Sequence, residues 1–356
     1  SASRGLGDVY KRQVRAQQVI LATGAIERPL VFSGNDLPGV MLASAAQTYL
    51  GEYGVLPGKR GIVMTNNDAT WHIAFALQEA GCLVKAIVDT RPSAAPALKR
   101  QAESLGIEVL SSHGITAAHG HLKVARVEVS PLTADGTDIT GDALHIDCDC
   151  ILMSGGLSPV VHLHSQARGK LTWDEKTLCF RPSSAHEAEQ SAGACNGSFD
   201  LQRGLKEAIT AAGKAAKAVG MAVQTVDVPV VNAPRINRSP MAVWSLPNGQ
   251  GEGEKAFVDF QNDVTASDIK LAVREGYHSV EHVKRYTTTG MGTDQGKTSN
   301  INALSILADQ LGEAIPEVGT TTFRMPYTPT SIGMIAGRSI GSLFDPVRTT
   351  QMDSLH

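Results

Sequence analysis

Lys284, Arg285 and Lys297 flank the glycines Gly290, Gly292 and Gly296. Cationic side chains beside backbone amides that no β-carbon shields can capture an anion, phosphate above all. The plainer reading is a solvated basic turn in a helical linker. A second candidate is Ala22-Thr23-Gly24-Ala25, which follows the apolar run at 19–21. Small residues at the end of a strand let backbone pass close to a nucleotide, although such a turn taken alone is ordinary.

A third candidate is 59–89, which reads as strand 61–65, helix 69–80 closed by Gly81, and strand 83–88. Asp89 stands where a ribose-binding acid would. The turn between, Thr65-Asn66-Asn67-Asp68-Ala69-Thr70, has no fingerprint glycine, and Asp68 would repel a pyrophosphate. The unit is therefore expected to keep the Rossmann shape as a poor nucleotide site, with Asp89 a solvated strand-end acid.

These candidates need elements to position them. A helix over 94–105, a strand over 107–110 and an alternating strand over 124–129 follow the β-α-β unit, with a turn-rich excursion at 131–142 before a short strand at 145–146. Residues 150–153 and Ser154-Gly155-Gly156 repeat the strand-then-small-residue pattern of 20–24 and are expected to mark a return from an inserted domain. Cys148 and Cys150, two apart, are expected to share one face as core thiols. A helix over about 205–218 precedes a linker punctuated by Pro229, Pro234, Pro247, Asn248 and Gly249. Thr265 with Asp268 reads as a helix start, Ile269 and Val273 as an apolar pair, and Gly276 as the stop. Val280 and Val283 begin a second helix, and Leu304, Leu307 and Leu311 stripe a third ended by Gly312.

Composition bounds the chemistry. The 356 residues suffice for two or three cores. Lys plus Arg number 32 against 35 acids, a net charge of −3, which argues against a nucleic acid or membrane held by bulk charge. No apolar run reaches the roughly 18 residues of a membrane span. Cys82, Cys148, Cys150, Cys179 and Cys195 form no Cys-x-x-Cys, so redox or metal chemistry is not expected and a reducing cytoplasm is the default. His113, His119 and His121 are scattered, and His162 and His164 lack a carboxylate close in sequence, so no zinc site is expected. Residues 1–13, SASRGLGDVYKRQ, read as a non-native scar, because DVYKRQ is a translated transposase end used in DNA library preparation.

One further pattern is decisive. In a branch of multi-subunit amine dehydrogenases, a [2Fe–2S] module reads as Cys-x-Cys, a Val-Thr helix start, then GMG-x-Cys-Gln-Gly-x-x-Cys. Residues 258–300 keep that frame with Asp259, Gln261, Asp294 and Ser299 at the four ligand positions. A cluster needs thiolates, so none is expected. This cluster-less frame resembles the alpha-subunit family of heterotetrameric sarcosine oxidases. The same resemblance runs through ILATGAIERPLVFSGNDLPGV, residues 61–91, SAGACNGSFDL and FRMPYTPTSIGMIAGRSIGSLFDPVRTT, in order from about Val14.

The resemblance implies an α/β fold with two dinucleotide-binding, FAD/NAD-linked reductase-like Rossmann domains. The tail of the first would span 14–56, a nested Rossmann-like domain 57–149, and the return to the first 150–220. A linker at 221–255, a helical module at 256–322 and the start of an α+β aminomethyltransferase-like folate domain at 323–356 would follow, so that both ends look truncated. It implies NAD in the first-domain cleft against Thr23, Gly24, Ala194, Phe199 and Leu201, with the helix near 205 pointing its N-terminus at the nucleotide. Ala192-Gly193-Ala194 replaces the Ala-Gly-Asp of flavin-binding relatives, which argues against FAD there. It further implies FMN at a subunit interface near Lys284 and Lys297, FAD in a beta subunit, tetrahydrofolate beyond His356, and beta, gamma and delta partners. The family oxidises sarcosine to glycine, giving hydrogen peroxide and 5,10-methylenetetrahydrofolate, with this chain in a supporting role and no catalytic residue of its own. The rivals are a related opine, proline or glycine dehydrogenase subunit, which the missing cysteines oppose, a free-standing NAD(P)H–flavin reductase, which lacks its Cys-x-x-Cys or FAD acid, and a non-catalytic assembly module.

Overall fold

The computed structural model describes residues 13–224, 226–232, 240–247, 255–325, 328–343 and 349–355. Residues 1–12 of the expected scar, Pro234, Asn248 and Gly249 of the expected linker, and 344–348 and His356 near the end lie outside the described residues.

After β1 (Val19–Leu21) and β2 (Ala25–Glu27), the chain enters a parallel sheet at β3 (Val40–Leu42) and continues into α1 (Ala43–Tyr53). The expected β-α-β unit follows as β4 (Arg60–Thr65), α2 (Ala69–Glu79) and β5 (Leu83–Asp89), then α3 (Pro96–Ser104) and β6 (Glu108–Ser111). The apolar residues of β4 serve both faces, as a sheet covered on two sides requires. Ile62 and Met64 join one core, and Val63 joins Trp71 and Leu77 in another. An antiparallel meander of β7 (His113–Gly120), β8 (Val124–Pro131) and β9 (Leu144–Asp147) covers the first face through Ile115, Val127 and Val129.

β10 (Cys150–Ser154) corrects the expected boundary at 150. It lies between β3 and β4 in the order β3-β10-β4-β5-β6, parallel to both, with all its residues buried. β3, assigned to the first domain, belongs to this sheet too. The two strand-then-small-residue copies therefore sit in different sheets. Short apolar runs carry no alternation that tells one sheet from another. Cys148 and Cys150 do not share a face either: Cys148 joins the meander-side core and Cys150 the helix-side core. The bend at Asp149, before β10 begins, breaks the two-residue alternation.

The chain leaves this sheet through β11 (Leu157–Pro159), antiparallel to β2, and α4 (His162–Gln166). A hairpin of β12 (Lys170–Asp174) and β13 (Cys179–Ser184) leads to β14 (Glu189–Ser191), which pairs in parallel with β1. α5 (Leu201–Ala218) starts one turn before the expected 205 because Asp200 caps it by accepting the Arg203 amide.

The third core is helical. β15 (Phe257–Asp259) and β16 (Val264–Thr265) precede α6 (Ala266–Arg274), α7 (Val280–Thr287) and α8 (Asn300–Leu311). Thr265 and Asp268 form the expected capping box, and Ile269, Val283 and Leu307 meet Val31 in the core. Gly312 ends α8 at φ 67°, a conformation that a β-carbon would strain.

Candidate functional site

The nested β-α-β turn is occupied by its own side chains. Asp89 is fully buried rather than solvated. Its carboxylate accepts from Trp71 Nε1 at 3.0 Å and from Arg91 Nε and Nη2 at 2.9 and 2.7 Å. Arg91 also pairs with Asp68 at 2.8 Å, so both acids of the turn share one guanidinium. Asn67 Oδ1 accepts the Ala69 amide at 3.0 Å, and Asn66 donates to Met241 O at 2.9 Å, bringing the linker against the turn. Pairing with Arg91, two residues on, and with Trp71, 18 residues back, overrode the expectation of a solvated acid.

At the cleft expected for the first domain, Gly24 and Gly193 both have φ 76°, and an added β-carbon on either would meet nothing within 4 Å. Thr23 Oγ1 donates to Val160 O at 2.8 Å, and Ala192 N donates to Leu21 O at 2.9 Å, setting the two turns side by side. Ala194 lies in the short 3₁₀ turn after β14, with Phe199 half-buried and Leu201 65% exposed at the start of α5. The paired open glycines can admit a nucleotide backbone. The helix N-terminus suits phosphate less well than expected, because Asp200 takes the Arg203 amide and Glu207 takes the Gly193 amide at 3.1 Å.

The four positions that match cluster ligands converge as a hydrogen-bonded knot. Asp259, 2% exposed, accepts the amides of Gln261, Asn262 and Gly290 at 3.0, 3.1 and 2.7 Å, and the Ser299 hydroxyl at 3.4 Å. Gln261 Oε1 accepts the Asp294 amide at 2.9 Å, and Asp294 Oδ1 accepts the Gly296 and Lys297 amides. Two of the three glycine amides expected to be open to phosphate are thus already held by carboxylates.

The cations part company. Arg285 points outward to Glu281 at 3.6 Å, whereas Lys284, on α7, is 8% exposed. Lys284 and Lys297 line one cavity of about 90 Å³ with His162, Ser158, Phe180, Leu304 and Phe323. Lys297 Nζ stands 5.8 Å from the Phe323 ring centroid. Burial, then Lys297, pushes the His162 imidazole down to about 4 from 6.5. The folded chain thus resists a proton that the unfolded chain takes up, so stability present above 6.5 should be lost as pH falls toward 4. Denaturant midpoints at pH 7.5 and 4 should differ by roughly 2–3 kcal/mol more in the wild type than in His162→Gln.

Sequence reasoning missed two buried groups. His164 Nδ1 meets Glu189 Oε1 at 2.6 Å and its Nε2 meets Lys170 O at 3.0 Å, giving the histidine a carboxylate 25 residues away. Arg28 donates Nε to Gly155 O at 3.2 Å and stacks 5.0 Å from the Trp244 ring centroid, with burial pushing its pKa down to about 10. Its Nη2 leaves no room for a β-carbon at Gly156, which would approach it to 2.7 Å. The small residues after β10 were the available signal for that close approach.

Residues 253–338 match the Sarcosine oxidase A3 domain family. The chain is 40% identical over 347 residues to the sarcosine oxidase alpha subunit of Rhizobium meliloti (strain 1021), covering 96% of this chain and 33% of that one. It therefore spans about one third of that relative's length. An opine oxidase subunit from the same strain is 23% identical, covering 91% of this chain and 77% of that one. The crystal structure of L-proline dehydrogenase from P. horikoshii superposes with a TM-score of 0.60 at 19% identity, over 90% of this chain and 59% of that one, which supports the mixed α/β fold. Identity along nearly the whole chain, together with the matched A3 segment, places this protein in the sarcosine oxidase alpha-subunit family.

Proposed function

We propose that this chain is the nucleotide- and flavin-supporting part of a sarcosine oxidase alpha subunit. The carrying observation is the 40% identity along 96% of the chain. In this reading, the assembled enzyme oxidises the N-methyl group of sarcosine at an FAD in a beta subunit. Electrons pass through an interface FMN to oxygen, and the one-carbon unit leaves on tetrahydrofolate in a further alpha-subunit domain. Gamma and delta subunits complete the assembly in the cytoplasm. No side chain here is assigned to proton transfer on substrate.

NAD is proposed to lie in the first-domain cleft against Thr23, Gly24, Ala194, Phe199 and Leu201. The open glycine turns at Gly24 and Gly193 favour it. The filled turn at Asp68, Asp89 and Arg91 disfavours the nested unit as the site. Lys284 and Lys297 are proposed to form part of a wall beside FMN. The cavity of about 90 Å³ is far below the roughly 300 Å³ at which ligand pockets start, so these residues border a flavin rather than enclose it.

Co-expression with a sarcosine oxidase beta subunit tests the assignment. A copurifying complex with flavin absorbance is expected, and a chain that never associates with such a partner overturns the reading. Within that complex, Ala194→Leu should lower bound NAD by at least about tenfold through steric overlap, measured as nucleotide released on denaturation. Unchanged NAD content would move the nucleotide elsewhere.

A further inference from the structure

The cavity shared by Lys284 and Lys297 also holds an unmet hydroxyl and an apolar lining that the flavin reading does not use. Among the described residues, no hydrogen bond reaches the Lys284 ammonium and no carboxylate lies within 4.0 Å of it, although the residue is 8% exposed. Glu281, one turn earlier on α7, pairs with Arg285 at 3.6 Å and acts on Lys284 only at longer range. Burial pushes the Lys284 amine below its ordinary value. Ser158, on β11, lines the same cavity and has a buried hydroxyl without a hydrogen-bond partner. Leu171, Phe180, Val283, Leu304 and Leu307 line the space between these elements. The unpartnered Ser158 hydroxyl is costly in an apolar setting, and so is the largely buried Lys284 ammonium, so a ligand that meets both lowers those costs.

We propose that this cavity is a binding site for a short-chain monocarboxylate, with the carboxylate on Lys284 and the alkyl chain against the apolar wall. Charge calls for an anion, because Lys284 is largely buried and Lys297 lines the same cavity. The walls favour an alkyl chain over a fully hydrated ion. Size sets the length: about 90 Å³ is smaller than the roughly 150 Å³ cavity that admits benzene, so about four carbons is the limit. The Ser158 hydroxyl supplies a donor for a carboxylate oxygen. This inference rests on the cavity alone and does not depend on the FMN assignment.

Propionate titrated into the whole chain provides the test, with 1-propanol as the neutral analogue and inorganic phosphate as the multiply charged one. The Lys284 amine is followed by NMR in protein labelled at lysine Cε. Propionate should bind saturably and raise the Lys284 titration midpoint, because the bound anion stabilises the charged amine. Propanol and phosphate should bind at least about tenfold more weakly, and Lys284→Met should cost propionate about tenfold or more, as one charge-assisted contact is worth that much. Leu304→Phe, which fills the cavity and keeps the lysine, should also abolish binding, so the test survives if Lys284→Met misfolds. Equal binding of propanol, preference for phosphate, or a Lys284 midpoint that propionate leaves unmoved each overturns the proposal. Loss of the FMN reading would appear separately, as missing flavin absorbance in the complex with the beta subunit.

Discussion

Asp259→Ala is expected to destabilise the helical module by roughly 3–5 kcal/mol, because it removes the acceptor for several buried donors at once. The carboxylate is 2% exposed and holds the amides of Gln261, Asn262 and Gly290 together with the Ser299 hydroxyl. Those donors come from the turn after β15, from the glycine loop and from the start of α8, so one side chain joins three segments. Alanine leaves the Gly290 amide and the Ser299 hydroxyl buried without that acceptor. Asp294→Ala should cost less, since that residue is only half-buried and the amides it accepts serve the adjacent turn alone. Denaturant unfolding with hydrogen exchange on α6–α8 measures both. An Asp259→Ala chain whose module keeps wild-type protection would show that the acid is not what closes this segment.

The same knot gives a physical reason why a cluster frame expected to hold no metal can persist. Cluster sulfurs accept amide hydrogen bonds from the loops around them. Asp259 accepts such bonds here from Gly290, and Asp294 accepts them from Gly296 and Lys297, so the loop's amides remain satisfied. The glycines at φ 70°, 69° and 75° then serve the tight course of the loop rather than an open anion nest.

What the sequence made legible follows from how local each signal is. The capping box at Thr265, the β-α-β unit and the stripe of α8 depend on neighbours within a few residues, and all three stand in the structure. α5 begins one turn before the expected 205 because its cap, Asp200, precedes a weakly apolar first turn. Membership of β3 and β10 in one sheet was not legible, since pairing of 40–42 with 151–153 is a long-range event and a wholly buried parallel strand shows no alternation. Among the site residues, the meeting of Lys284 and Lys297 in one cavity depends on α7, α8 and β11 packing together. The opposite orientations of Lys284 and Arg285 were equally hidden, since adjacent helical residues point about 100° apart and only tertiary packing decides which one is buried.

Asp89→Ala is expected to cost roughly 3 kcal/mol or more, and to do so through the fold rather than through any nucleotide. Its carboxylate is fully buried, paired with Arg91 at 2.7 Å and bonded to Trp71 Nε1 at 3.0 Å. Removing it strands the buried indole N–H of α2 and leaves Arg91 with Asp68 alone, at 2.8 Å. Asp89→Asn is the informative companion: it keeps an oxygen for Trp71 and gives up the charge that Arg91 needs, so it should lie between wild type and alanine. If Asp89 instead served a ribose, both variants would lower NAD content at unchanged stability, since a solvent-facing acid contributes little to folding. Measuring denaturation midpoints and NAD content on the same preparations separates the two roles. A midpoint that falls while NAD per folded chain holds steady assigns Asp89 to the frame of the nested sheet, and a steady midpoint with lost NAD would return it to the cofactor.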